Sequence, residues 1–216
     1  MAEGGTRRRG RPAATSSDDT RAAIIASAHK LFGEAGYGGV SMERLAVEAD
    51  LTVRALYHYF PSKRELFRAA GDDALGRFGT EVAARVFVHD SLRDRVRGYI
   101  DVYRSLYRTD RDALRFIGMD LVDALSSNFG APSASDTGDV EAFADASEPL
   151  RLFLEILVDQ ALARAEVHAE IDREGAMLLL SSLGTGLALA ALNDDGGTFL
   201  AMLDAFDRLT DGTLFT

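Results

Sequence analysis

The chain has no cysteine in 216 residues, and no stretch of strand-like alternation or internal repeat is visible along it. Without cysteine there are no disulfides, no thiolate metal sites and no cysteine nucleophile, which agrees with a reducing, cytoplasmic setting. Without alternation the sheet classes fall away and an all-α fold is expected. No apolar run reaches the roughly 20 residues that span a bilayer. The nearest, Ala176 to Leu192, is broken by Ser181, Ser182, Gly184, Thr185 and Gly186. The first residues are basic but lead into Pro, Ala, Ser and Asp, unlike a secretion signal, so no membrane partner is expected.

What is present is an ample apolar fraction, 47%, and a lopsided charge. The net charge of −10 argues against a polyanion partner until its distribution is read. Residues 1–68 carry 11 basic against 8 acidic residues, and the remainder 13 against 26. Only one end can approach nucleic acid.

Residues 1–17 lack hydrophobic period and read as a basic arm. A domain is expected over 18–70. Asp18, Asp19 and Thr20 form a capping cluster, and Ile24, Ile25, Ala28, Leu31, Phe32 and Ala35 make one apolar helix face that Gly36 ends. Ser41 caps a short helix to about Glu48, Thr52 caps another to about Tyr59, Pro61 stops it, and Ser62 starts a fourth. A larger helical domain is expected over 71–216. Within it, Asn128 to Ala146 is dense in Gly, Ser, Pro and Asp and reads as a long loop. Helices are expected near 148–167, 173–192 and 199–209.

Leu45, Ala46, Leu51 and Leu56 have the spacing of a helix-turn-helix: a small residue where two helices cross, and two leucines in the wedge between them. The turn needs a left-handed residue before Leu51; Asp50 is one of the few besides glycine that tolerates it. The second helix of such a motif enters the major groove, so Val53, Arg54, Ala55 and His58 face base edges. For Arg54 the readings that stand are a bidentate contact to guanine, a phosphate contact or a solvated charge. Thr52 caps its helix and is placed to hold a phosphate, as is Ser41 on the preceding helix.

The run Leu51-Thr-Val-Arg-Ala-Leu-Tyr-His-Tyr-Phe-Pro-Ser-Lys-Arg-Glu-Leu66, preceded by Val40-Ser-Met-Glu-Arg-Leu-Ala46 and by Phe32-Gly-Glu-Ala-Gly-Tyr37, resembles the N-terminal domain of TetR family regulators. The resemblance covers about residues 18–70. It departs from the family at Asp50, usually Gly, and at Arg54, often a small residue. It implies that Tyr57 and Lys63 contact the DNA backbone, against packing beside Phe60 for the first and a free surface position for the second. It also implies a homodimeric repressor released from a palindromic, double-stranded DNA operator by a small-molecule inducer. Its long C-terminal helices would pair across the two-fold axis, through Leu152, Ile156 and Gln160 on one and Leu179, Leu183, Gly186, Leu187 and Ala190 on the next, with packing inside the protomer's own core as the alternative for part of this stripe.

The arm contains Arg7-Arg8-Arg9-Gly10-Arg11-Pro12. Its Arg9-Gly-Arg11-Pro core resembles the minor-groove inserts of AT-hook peptides, while a basic tail that only releases counterions is the commoner use of such a run. Phe78, Tyr99, Tyr103, Phe116, Met119 and Phe153, with Asp120 for a polar group, are the expected lining of a ligand site. No cofactor is expected. An enzyme is the rival from another class, but Gly184-Thr-Gly186 lacks the third glycine and strand of a dinucleotide site, and the histidines at 29, 58, 89 and 168 lack metal-pair spacing. A third reading, a regulator or activator answering to a protein partner, would use the loop at 128–146.

Overall fold

In the computed structural model, residues 16–128, 141–192 and 197–212 are described, with the side chains of 120–150 left aside. Among the described residues there are nine helices and no strand. They are α1 (Ser17–Ala35), α2 (Met42–Glu48), α3 (Val53–Tyr59), α4 (Lys63–Arg85), α5 (Leu92–Thr109), α6 (Arg111–Asn128), α7 (Glu141–Ala163), α8 (Arg173–Leu192) and α9 (Thr198–Asp211).

The first cap lies slightly earlier than the capping cluster suggested. Ser16, not Asp18, caps α1: its hydroxyl accepts from the Asp19 N–H while the Asp19 carboxylate accepts from the Ser16 N–H, a reciprocal box that satisfies two orphan donors. Ser41, Thr52 and Ser62 cap α2, α3 and α4 in the expected places. Helix α7 starts at Glu141, inside the stretch expected as a loop, while residues 129–140 lie outside the described residues. Gly, Pro and Ser are concentrated before that point, and Glu141, Ala142, Ala144 and Ala146 favour helix.

Two apolar cores form. One gathers α1–α3, the start of α4 and part of α6, with Ile24, Phe32, Leu45, Leu56, Leu66 and Phe116 at its centre. The other gathers α5, α7, α8, α9 and the second half of α4, around Phe78, Tyr103, Leu157, Leu187 and Leu203. No helix ends at the expected boundary of 70/71. Helix α4 runs through it, giving Ala70 and Ala74 to the first core and Phe78 and Val82 to the second. Helix α6 likewise lends Ala113 and Phe116 to one and Leu114 to the other. A Cβ on Gly33 of α1 would lie 3.0 Å from the Phe116 backbone nitrogen, so the absent side chain is what lets α1 and α6 cross so closely.

Helix α8 is 20 residues long and contains an 18-residue window with a mean hydropathy of 1.8, apolar enough by length and composition to cross a membrane. Here one side of it, Leu180, Gly184, Leu187, Ala188 and Ala191, is buried in the second core. The Tyr103 hydroxyl donates to its Gly184 carbonyl, 3.1 Å away.

Candidate functional site

The sharpest local geometry in the molecule is the turn between α2 and α3. Past Ala49 the Asp50 N–H returns to the Val47 carbonyl (3.2 Å) and the Leu51 N–H to the Ala46 carbonyl (2.8 Å), which is the paired closure of a Schellman motif. Asp50 takes φ 53°, the left-handed turn residue the sequence called for. Leu45, Ala46 and Leu56 are buried in the wedge and Leu51 packs partly against them.

Helix α3 then starts from Thr52, whose hydroxyl accepts from the Ala55 N–H at 3.1 Å. Only Leu56 of the seven α3 residues is buried. Arg54, Tyr57 and His58 are exposed, and Val53 and Ala55 are half-buried, with Val53 packed against the first core. The packing alternative for Tyr57 does not describe it, since 46% of its surface is exposed. Ser41 is exposed and its hydroxyl accepts from the Arg44 N–H. Arg21 of α1 lies over the Phe60 ring, 4.8 Å from its centroid, which sets the start of α1 beside the end of α3. Arg9 and Arg11 lie outside the described residues.

Lys63 is not a free surface lysine. Its ammonium donates to the carbonyls of Tyr37 (3.0 Å) and Val40 (3.1 Å) and sits 4.1 Å from the Tyr37 ring centroid. It fastens the link between α1 and α2 to the start of α4. The sequence signal is an aromatic residue closing one helix and a lysine opening another, which is too far apart in the chain to read as a pair.

The expected ligand residues separate into two groups. Phe78, Tyr99, Tyr103 and Phe153 meet in the second core: Phe78 is edge-on to both tyrosines, and Tyr99 lies 5.6 Å from Phe153. The Tyr99 and Tyr103 hydroxyls are 3.2 Å apart. Burial pushes the Tyr99 phenol up to about 12 and raises the Tyr103 phenol well above its ordinary value. Phe116 is not with them. It faces His29, Phe32 and Phe67 in the first core, because it lies on the side of α6 that meets α1. Met119 is half-buried and in neither core, and the Asp120 side chain lies outside the description.

The expected dimer stripe is likewise split. Leu152, Ile156 and Leu179 are exposed, as is Leu178, which the spacing argument had passed over, and Gly186 is exposed too. Leu187 is fully buried in its own protomer, and Leu183 and Ala190 pack partly against the second core. Gln160 accepts a hydrogen bond from Arg95 of α5. Arg95 is the residue that sequence reasoning missed. Its signal was a four-residue spacing, Arg95-Tyr99-Tyr103, which puts a cation on the inward face of an amphipathic helix.

Comparison with known proteins fits this geometry. Residues 24–70 match the model of bacterial regulatory proteins of the tetR family. No curated protein matches the chain by sequence. Among solved structures it is similar to the fatty acid degradation regulator FadR from Bacillus halodurans, at 13% identity and a TM-score of 0.69, covering 94% of this chain and 96% of that one. It is similar also to a TetR transcriptional regulator from Chloroflexus aurantiacus, at 24% identity and 0.65, covering 90% and 93%. A third is AibR, solved with isovaleryl coenzyme A and operator DNA, at 20% identity and 0.64, covering 88% and 97%. At these identities the structural likeness concerns the fold.

Proposed function

We propose that the chain, whose residues 24–70 match the model of bacterial regulatory proteins of the tetR family, is a homodimeric repressor that leaves a palindromic operator when a small molecule binds its C-terminal helices. The observation that carries the reading is the presentation of α3. A helix closed by Thr52 and anchored by one buried leucine holds Arg54, Tyr57 and His58 outward together. That is the arrangement a recognition helix needs in a major groove.

Arg54 is the base reader in this proposal, and Thr52, Tyr57 and Ser41 hold the phosphates. Lys63 has two of its three protons committed to carbonyls, so at most one reaches a phosphate. Arg7, Arg8, Arg9 and Arg11 of the segment that precedes Ser16 add basic charge to this end of the chain. The exposed leucines and Ile156 on α7 and α8 supply the dimer surface, which two half-sites require. The aromatic group around Tyr99 and Phe153 supplies the inducer contacts, in a fold that AibR shares while binding an acyl thioester.

The test is a footprint and mobility shift on the DNA flanking the chain's own gene, with Arg54→Ala beside the wild type. The expected result is a protected palindrome, with Arg54→Ala weakened by about 1–3 kcal/mol and relaxed at one base position. Uniform weakening across sequences would make Arg54 a phosphate contact. Absence of any protected site would overturn the reading.

A further inference from the structure

Arg95 is a buried cation without a counter-ion. It keeps 7% of its surface exposed, and with His29 it is one of two buried polar or charged side chains among the described residues. Its Nε donates to the His89 carbonyl at 2.8 Å and one terminal nitrogen donates to Gln160 Oε1 at 2.5 Å. Both acceptors are neutral. No carboxylate lies within ion-pair distance of it among the described residues, and its second terminal nitrogen has no protein acceptor there and still reaches solvent. The acids of the same corner are committed elsewhere: Asp94 to Ser91 and Arg97, Glu166 to the Leu92 N–H, and Asp159 to Arg173.

A guanidinium drawn largely out of water gains when an anion meets it, and its planar fork matches a carboxylate through two parallel hydrogen bonds. An aromatic group lies within two turns of it. Tyr99 stands one turn further along α5, and Phe153 lies on α7 two turns before Gln160, against Tyr99 at 5.6 Å. Phe87, in the link between α4 and α5, is edge-on to Phe153 and 44% exposed, so the aromatic wall continues to the surface.

We infer that Arg95 receives the carboxylate of an amphipathic organic acid whose apolar body lies along Phe87, Phe153 and Tyr99. The inference rests on the reading that the C-terminal helices take a small molecule, and it names the class: an acid with a hydrophobic chain, as opposed to an uncharged or cationic compound. Gln160 and the His89 carbonyl hold the guanidinium flat with its remaining donors available, a positioning task that neutral acceptors perform without competing for the charge.

The experiment is calorimetric titration of the full chain with saturated straight-chain carboxylates of increasing length, and with the primary alcohols of the same lengths as uncharged counterparts. Some carboxylate should bind about tenfold or more tighter than its matched alcohol, the worth of a charge-assisted hydrogen bond at a desolvated site. Arg95→Gln should erase that preference while leaving the alcohol's affinity unchanged, and Arg95→Lys should keep part of it. Should Arg95→Gln fail to fold, the wild-type preference and its partial retention in Arg95→Lys decide. Equal affinity for acid and alcohol, an acid preference that survives Arg95→Gln, or binding of neither series overturns the assignment. Release of operator DNA is followed in parallel. Release by uncharged compounds with no acid preference leaves the inducer reading standing and removes the anion site, whereas acid binding through Arg95 without release does the reverse.

Discussion

Helices α1 to α4 each start at a hydroxyl that accepts a backbone N–H three residues on, from Ser16, Ser41, Thr52 and Ser62. In the bundle Ser91, Asp110 and Asp172 cap α5, α6 and α8 by the same three-residue reach, and α9 starts at Gly197 with no side-chain cap. Local start signals thus serve both ends, and the ends differ in how their helices are joined. In the helix-turn-helix the closure at Asp50 and Leu51 sets α3 against α2 within a few residues, whereas α5, α7, α8 and α9 meet through residues far apart in the chain. A helix that presents side chains to DNA, as proposed, must hold them at the same angle each time, and a bundle that takes a ligand, as proposed, can shift its packing without altering any cap or turn.

The largest effect tests whether the two ends are separate bodies. Leu56→Ala empties a fully buried site in the first core and Leu187→Ala one in the second, and each should cost about 2–5 kcal/mol. Because α4 and α6 contribute to both cores and Ile117 packs against each, both variants should melt in one transition, displaced to lower temperature. Two resolved transitions in calorimetry, only one of them moved by each variant, would make the ends independent.

How much was legible follows the same division. The turn at Asp50, the caps at Ser41, Thr52 and Ser62 and the stop at Gly36 were all readable, because each signal and its effect lie within one or two turns of chain. Phe116 was assigned to the ligand group because its spacing on α6 shows only that it faces inward. Which core it enters depends on how close Gly33 lets α1 approach, a fact about a residue 83 positions away. Lys63 and Arg95 escaped for the same reason: their partners, Tyr37 and Val40 for one and Gln160 for the other, are brought to them by the tertiary fold.

The next effect belongs to the bundle and is read by pH. Burial raises the Tyr99 phenol from 10.0 to about 12 in the folded chain. The folded state therefore keeps a proton that the unfolded state has begun to lose, so stability is intact below pH 10.0 and falls as pH rises toward about 12. The loss should reach on the order of 2 kcal/mol, with a further contribution from Tyr103, which is raised in the same sense. Tyr99→Phe should flatten the limb in a series of melting temperatures against pH. An unchanged slope would show that Tyr99 is better solvated than its packing indicates.

In the reader the corresponding effect is smaller and local. Thr52→Ala removes the α3 cap and should cost about 1 kcal/mol by denaturant titration, with DNA affinity falling further because the same hydroxyl holds a phosphate in the proposed mode. If stability falls while affinity follows it no further, Thr52 caps and does nothing else.

The smallest effect sets the two regions directly side by side. Among the described residues each has one non-glycine residue in the left-handed region: Asp50 at φ 53° after α2 and Ala165 at φ 55° after α7. Both close the same kind of helix end, since the Ala165 N–H returns to Leu162 and the Glu166 N–H to Ala161, as Asp50 and Leu51 return to Val47 and Ala46. The conformation costs an ordinary L-residue about 1–2 kcal/mol, and Asp less because its short polar side chain suits it. Glycine avoids that cost but gives the unfolded chain more freedom, worth about 0.4–1 kcal/mol the other way. Asp50→Gly should therefore leave stability within about 0.5 kcal/mol of wild type, and Ala165→Gly should raise it by about 0.5–1 kcal/mol. Paired denaturant titrations measure both. An equal gain at the two positions would mean that Asp50 is as strained as Ala165, and that the reader's turn is kept for the aspartate itself and not for its tolerance of the fold.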